Sequence, residues 1–341
     1  MVELNGKKIL VTFLMHLGDL TLTTPFIHAL RKAAPDAHIT MLVDEKLKDV
    51  VLFNPYLDEV VTIDKKGRDN SILSLWACSR HLSKLDFDVL INLHPNERCS
   101  FIDAMTSVKL RTGTTHKIFK WFWDVFTPLD RSMHAADMYL DVLQQLGVQN
   151  LSNNGLEIFP GEEHFLEAEL FWQEQNITDQ DKLIGFNIGS AVPTKRWPPE
   201  RFAEVADIFA AKGYKTVFFG GPMDEEMVAE ATGYMQTRPI IATGHFAIGG
   251  LAAAMRRCCL IITNDSGPMH VAISQKVPIV AMYGPSNPKL YGPYTKDAVI
   301  VTAQPPCQGC ADGMKHSCDD LQCMSLSLIH ISEPTRPEPI S

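Results

Sequence analysis

Seven residues, Asn264-Asp265-Ser266-Gly267-Pro268-Met269-His270, combine the types that hold an anion at a helix start. The apolar run before them, Cys259-Leu260-Ile261-Ile262-Thr263, reads as a strand buried on both faces, and Val271-Ala272-Ile273 after them reads as helix. Asp265 and Ser266 are N-cap types, Gly267 lets a ligand approach the backbone, and Pro268 removes a donor that the first turn does not need. The remaining first-turn N–H groups and the positive end of the helix dipole converge on one spot suited to phosphate. An ordinary capped strand-to-helix turn has the same composition, so the rest of the chain must decide between the two.

Three other turns carry residues that such an anion's chemistry needs. His16-Leu17-Gly18-Asp19-Leu20-Thr21 follows the first strand-like run and puts Asp19 at a helix start, as a general base or as an N-cap. Pro193-Thr194-Lys195-Arg196-Trp197-Pro198 follows Asn187-Ile188-Gly189-Ser190 and offers a hydroxyl and two cations, of which Lys195 suits a leaving phosphate. Phe218-Phe219-Gly220-Gly221-Pro222-Met223-Asp224-Glu225 ends another strand with two carboxylates, able to accept from sugar hydroxyls or to cap the next helix. A basic and aromatic stretch, residues 109–123, includes Lys117, Lys120, Trp121, Phe122 and Trp123. It suits an anionic amphiphile near a membrane, or a loop whose rings enter the core.

These turns need strand ends to hold them. Strand-like runs at 9–14, 38–43, 60–63 and 87–93 alternate with helix-like ones at 20–33 and 136–146. Further strands are predicted at 183–188, 216–219, 239–242, 260–263, 277–283 and 299–301, with helices at 199–212 and 225–234. Such alternation predicts βαβ units and a parallel sheet in each half. The expected fold is α/β, two Rossmann-like doubly wound domains facing a central cleft, with Asn/Gly/Ser-rich residues 147–161 between them.

Composition bounds the function. A chain of 341 residues, 45% hydrophobic and 21% charged, is globular and long enough for two cores. The net charge of −9 argues against nucleic acid as a partner. It is uneven: residues 1–160 hold 17 basic against 19 acidic residues, and residues 161–341 hold 14 against 21. Neither a leader peptide nor a transmembrane run is legible, so a cytoplasmic location is expected.

In register, Leu17-Gly18-Asp19, Thr194-Lys195-Arg196-Trp197-Pro198, Gly220-Gly221-Pro222-Met223-Asp224, the 264–270 motif and Tyr283-Gly284-Pro285-Ser286-Asn287-Pro288 resemble the ADP-heptose:lipopolysaccharide heptosyltransferases. These are inverting glycosyltransferases of family 9 with the GT-B fold. The resemblance runs from about residue 7 to 324. It implies an acceptor-binding domain over 1–160 and a nucleotide-sugar-binding domain over 161–324. It further implies Asp19 as catalytic base, Lys195 as the cation at the donor phosphates, and Thr194, Asp224, Asp265, Ser266, Gly267 and His270 as donor-binding residues. The implied donor is ADP-heptose and the implied acceptor the lipopolysaccharide core at the inner-membrane surface, with no cofactor or catalytic metal required. Arg98, Lys117 and Lys120 are acceptor candidates on charge. A glycosyltransferase with another nucleotide sugar or a protein acceptor, or a non-catalytic nucleotide-binding module, are the alternatives.

Cys307, Cys310, Cys318 and Cys323 form a compact group that suits either a structural zinc or iron ion or reduced thiols. The resemblance ends at Met324. Residues 325–341, with Pro334, Pro337 and Pro339, are expected to be a non-native or disordered tail outside the fold.

Overall fold

A computed structural model describes residues 2–303 and 321–325 of the chain. The described residues form two compact units that divide at Phe159/Pro160. The first contains six parallel strands: β1 (Lys8–Thr12), β2 (His38–Asp44), β3 (Glu59–Ile63), β4 (Phe87–Asn92), β5 (Val108–Gly113) and β6 (Val125–Phe126). Their order is β3-β2-β1-β4-β5-β6. The second contains β7 (Leu183–Asn187), β8 (Lys215–Phe219), β9 (Ile240–Ile241), β10 (Cys258–Asn264), β11 (Ile279–Tyr283) and β12 (Ala298–Thr302). There the order is β12-β11-β10-β7-β8-β9, the same winding repeated.

The central strands are apolar without alternation because helices cover both faces. Ile9, Leu10 and Val11 of β1 and Leu90 and Ile91 of β4 have no exposure at all. Each such side chain contributes about 1.5–3 kcal/mol relative to an exposed one. In the second unit Phe186 and Phe218, on adjacent strands, stack with ring centroids 5.1 Å apart and anchor its core. Met324, beyond the undescribed stretch, is buried in the same core, and Cys323 packs against it.

The six strands expected in the second half are all present. In the first half, β5 and β6 were not anticipated, because Val108-Lys109-Leu110-Arg111 reads as a basic stretch. The single helix expected over 20–33 is two helices, Leu17–Thr21 and Thr24–Ala33. Pro25 lies in the first turn of the second, and proline has no N–H to donate to the Thr21 carbonyl four residues back, which accepts from Thr24 Oγ1 instead. Cys307, Cys310 and Cys318 of the cysteine group lie outside the described residues, as does the tail beyond Ser325.

Candidate functional site

In a doubly wound sheet, connections leave in opposite directions from the two middle strands, and ligands settle at the carboxyl ends of that pair. In the second unit the pair is β7 and β10; in the first it is β1 and β4. Each candidate catalytic residue lies beyond one of these four strands.

Two asparagines join the β7 and β10 ends. Asn264 donates to the Ile188 carbonyl at 2.7 Å and accepts from the Trp197 N–H at 3.0 Å. Asn187 donates to Thr263 Oγ1 at 3.1 Å and to Ser266 Oγ at 2.9 Å. Ser266 occupies the N-cap position of helix Gly267–Ser274, but its hydroxyl makes no capping bond to that helix. A cap was the local expectation. The hydroxyl is instead held by Asn187, which leaves the first-turn amides of the helix without a side-chain cap.

Beside those amides lies a buried charge pair. Lys195 Nζ donates to Asp265 Oδ2 at 2.7 Å, with the two side chains 14% and 6% exposed. Ser286 Oγ, from the turn after β11, donates to the same oxygen. Thr194 is buried in the short helical turn Pro193–Lys195, and His270 is buried in the first turn of helix Gly267–Ser274.

Asp224 stands at the neighbouring strand ends. Its Oδ2 accepts from the Gly221 N–H at 2.9 Å. A Cβ at Gly189, just past β7, would lie 2.2 Å from Asp224 Oδ1, and one at Gly220, just past β8, would lie 2.9 Å from Asp224 Cβ. Two glycines therefore make room for this carboxylate. Glu225 is exposed and turned toward Gly244 instead.

In the first unit Asp19 lies in the first turn of helix Leu17–Thr21, half-buried, with His16 as N-cap. It is not the cap that the local reading offered as its alternative. Lys65 clamps the chain leading to it: Nζ donates to the carbonyls of Leu14 and Met15, both at 2.8 Å, and lies 3.1 Å from Asp44 Oδ2. His94, past β4, is buried. Burial, and then the charges of Lys65 and His16, push its pKa down to about 4, so it is neutral at physiological pH. Its Nδ1 has no hydrogen-bond partner among the described residues, and its backbone N–H donates to Asn92 Oδ1 at 2.6 Å. Beneath, Asp103 accepts from Thr12 Oγ1 at 2.8 Å, and burial raises its pKa to about 8.

The acceptor candidates are divided. Arg98 donates to the Lys65 carbonyl and, at 2.6 Å, to Asn70 Oδ1, tying the loop after β3 to helix Glu97–Met105. With Asn96, Glu97 and His116 it lines an open depression of about 470 Å³. Lys117 and Lys120 are exposed on the turn Lys117–Phe122, Lys120 lying 4.2 Å from the centre of the Phe126 ring. Of the stretch's tryptophans, Trp123 enters the core and donates to the Thr112 carbonyl, whereas Trp121 does not. Lys65, His94, Ser286 and Gly189 belong beside the candidate residues yet were not assigned from the sequence.

Two six-stranded parallel sheets of Rossmann type, with the candidate catalytic residues at the carboxyl ends of their middle strands, define a doubly wound α/β protein. The family model for glycosyltransferase family 9 (heptosyltransferase) matches residues 75–318. A solved glycosyl transferase family 9 chain from Veillonella parvula DSM 2008 is 54% identical, covers 95% of both chains and superposes with a TM-score of 0.91. Lipopolysaccharide heptosyltransferase 3 of Escherichia coli K12 is 24% identical over 83% of this chain and 84% of its own. The E. coli ADP-heptose lps heptosyltransferase II structure shares the fold at 23% identity, covering 86% of this chain and 90% of that one, with a TM-score of 0.75. The chain therefore belongs to glycosyltransferase family 9 and is a glycosyltransferase of GT-B fold.

Proposed function

We propose that the chain transfers a heptose from ADP-L-glycero-D-manno-heptose to the inner core of lipopolysaccharide, acting from the cytoplasmic face of the inner membrane. One observation carries the donor half. The first-turn amides of helix Gly267–Ser274 carry no side-chain cap, since Asn187 holds the Ser266 hydroxyl, and they lie beside the Lys195–Asp265 pair. Those amides and Lys195 hold the diphosphate and stabilise ADP as it leaves, work that a divalent cation would otherwise do. Thr194, Asp265 and His270 line the same donor, and Asp224 takes hydroxyls of its nucleoside. The names of the E. coli relatives, which specify heptose transfer to lipopolysaccharide, support the choice of sugar and acceptor.

Asp19 removes the proton from an acceptor heptose hydroxyl while that oxygen attacks the donor's anomeric carbon. The C–O bond to the diphosphate breaks as the new glycosidic bond forms, so one displacement inverts the anomeric centre. The Lys65 clamp holds the chain that leads to Asp19.

Asp19→Ala tests this. Transfer from ADP-heptose to purified core oligosaccharide should fall by at least about a thousandfold, while the ADP-induced rise in melting temperature stays at the wild-type value. Near-wild-type turnover would remove Asp19 from the chemistry. A larger rise with another nucleotide sugar would replace the donor.

A further inference from the structure

The first unit presents two apolar groups to solvent. On helix Ile72–Ser83, Ile72, Leu73 and Trp76 are 73%, 78% and 52% exposed, while Leu75, Ser79 and Leu82 are buried. On the turn Lys117–Phe122, Ile118 and Trp121 are 58% and 86% exposed. Exposed side chains of this size in two groups exceed what scattered surface residues need.

Topology places both groups at one edge. In a parallel sheet the segment after each strand begins at the carboxyl edge. Helix Ile72–Ser83 follows β3, helix Glu97–Met105 follows β4 and the turn Lys117–Phe122 follows β5. Glu97–Met105 packs against both of the others, and Phe101 meets Phe119 with ring centroids 6.3 Å apart. Asp19, after β1, stands on the same edge.

The charge pattern selects the occupant. The chain carries a net −9, yet residues 70–85 and 104–123 contain no acidic residue. Arg80 is exposed one turn beyond Trp76 on the same helix face, and exposed Lys117 and Lys120 flank Ile118, with Trp121 next to Lys120. Glu97, 3.9 Å from His116 Nε2, is an acid on this edge. Exposed tryptophans flanked by cations are the pattern of a surface that lies in a headgroup layer. Among the described residues no helix is long and apolar enough to cross a membrane.

We propose that Ile72, Leu73, Trp76, Ile118 and Trp121 insert into the headgroup region of an anionic bilayer, with Arg80, Lys117 and Lys120 meeting lipid phosphates. This deepens the proposed function and rests on it for one point, that the acceptor is lipid-anchored and reaches Asp19 from the docked edge.

The test is flotation of the full chain, without donor or acceptor, with vesicles of phosphatidylglycerol and phosphatidylethanolamine or of phosphatidylcholine alone. The wild type should float with the anionic vesicles only, and less so as salt rises. Trp76→Ser with Trp121→Ser should lower the bound fraction about tenfold, and so, separately, should Lys117→Glu with Lys120→Glu. The ADP-induced rise in melting temperature, unchanged in the tryptophan variant, reports an intact fold. With lipid-free core oligosaccharide that variant should turn over like wild type, and with vesicle-embedded acceptor it should lose most of its rate. Wild type that stays in solution, equal flotation with phosphatidylcholine, or variants that float normally would each overturn the surface. So would a dimer in sedimentation that the tryptophan variant abolishes, which would give the surface to a second copy. Flotation as expected from a protein that transfers no heptose would keep the surface and remove the proposed reaction.

Discussion

Lys195 and Asp265 form a largely buried ion pair, 2.7 Å from Nζ to Oδ2, beside the uncapped first turn of helix Gly267–Ser274. The pair sets a lysine cation beside the proposed phosphate position. Lys195→Ala leaves the buried Asp265 carboxylate without its cation, though still with the Ser286 hydroxyl. It should cost about 3 kcal/mol of stability, seen as a lowered melting temperature, and weaken ADP binding at least about tenfold. Adding Asp265→Asn should recover much of the stability without recovering donor use. Recovery of both in calorimetric titration with ADP would make the pair purely structural.

Gly189 and Asp224 supply a second prediction, because a methyl group at 189 would meet the carboxylate at 2.2 Å. Gly189→Ala should turn Asp224 away and break its bond to the Gly221 N–H. The KM for the nucleotide sugar should rise by roughly tenfold, as it should for Asp224→Ala. The double variant should be no worse than Asp224→Ala alone, since both changes remove one interaction. Additive losses in steady-state kinetics would show that Gly189 acts on something else.

The sequence reveals the turns more readily than the contacts between them. Largely apolar runs at 183–188 and 260–263 mark strands directly, because burial on both faces leaves few polar positions. β5 escapes that test because Lys109 and Arg111 alternate with apolar residues, and β6, with two residues, is too short to show a period. Asp265, Ser266 and Lys195 are visible by type and spacing. Their partners are not, since Asn187 reaches Ser266 across 79 positions and Ser286 reaches Asp265 across 21. Gly189 stands in Asn187-Ile188-Gly189-Ser190 without a role of its own, and the position of Asp224 gives its missing side chain a reason. Lys65, in a run of charged residues, gave no sign that its ammonium would turn inward to the Leu14 and Met15 carbonyls.

Asp103 gives the stability a pH dependence of known sign. Its carboxyl is fully buried, accepts from Thr12 Oγ1 at 2.8 Å and sits 3.8 Å from the Cys99 thiol, with the Arg111 charge nearby. Burial raises its pKa from 3.8 to about 8, against the lowering effect of those bonds and of Arg111. Between these values the folded chain keeps the proton and the unfolded chain has lost it. Stability from this group is therefore complete below the unfolded value and declines as pH rises, by up to about 1.4 kcal/mol per pH unit, levelling once the folded carboxyl ionises. Asp103→Asn keeps an acceptor for Thr12 but cannot ionise. Thermal denaturation from about pH 5 to pH 9 should show the wild type losing ground steadily to Asp103→Asn up to about pH 8. Parallel pH profiles for the two proteins would mean that Asp103 is ionised in the folded chain throughout.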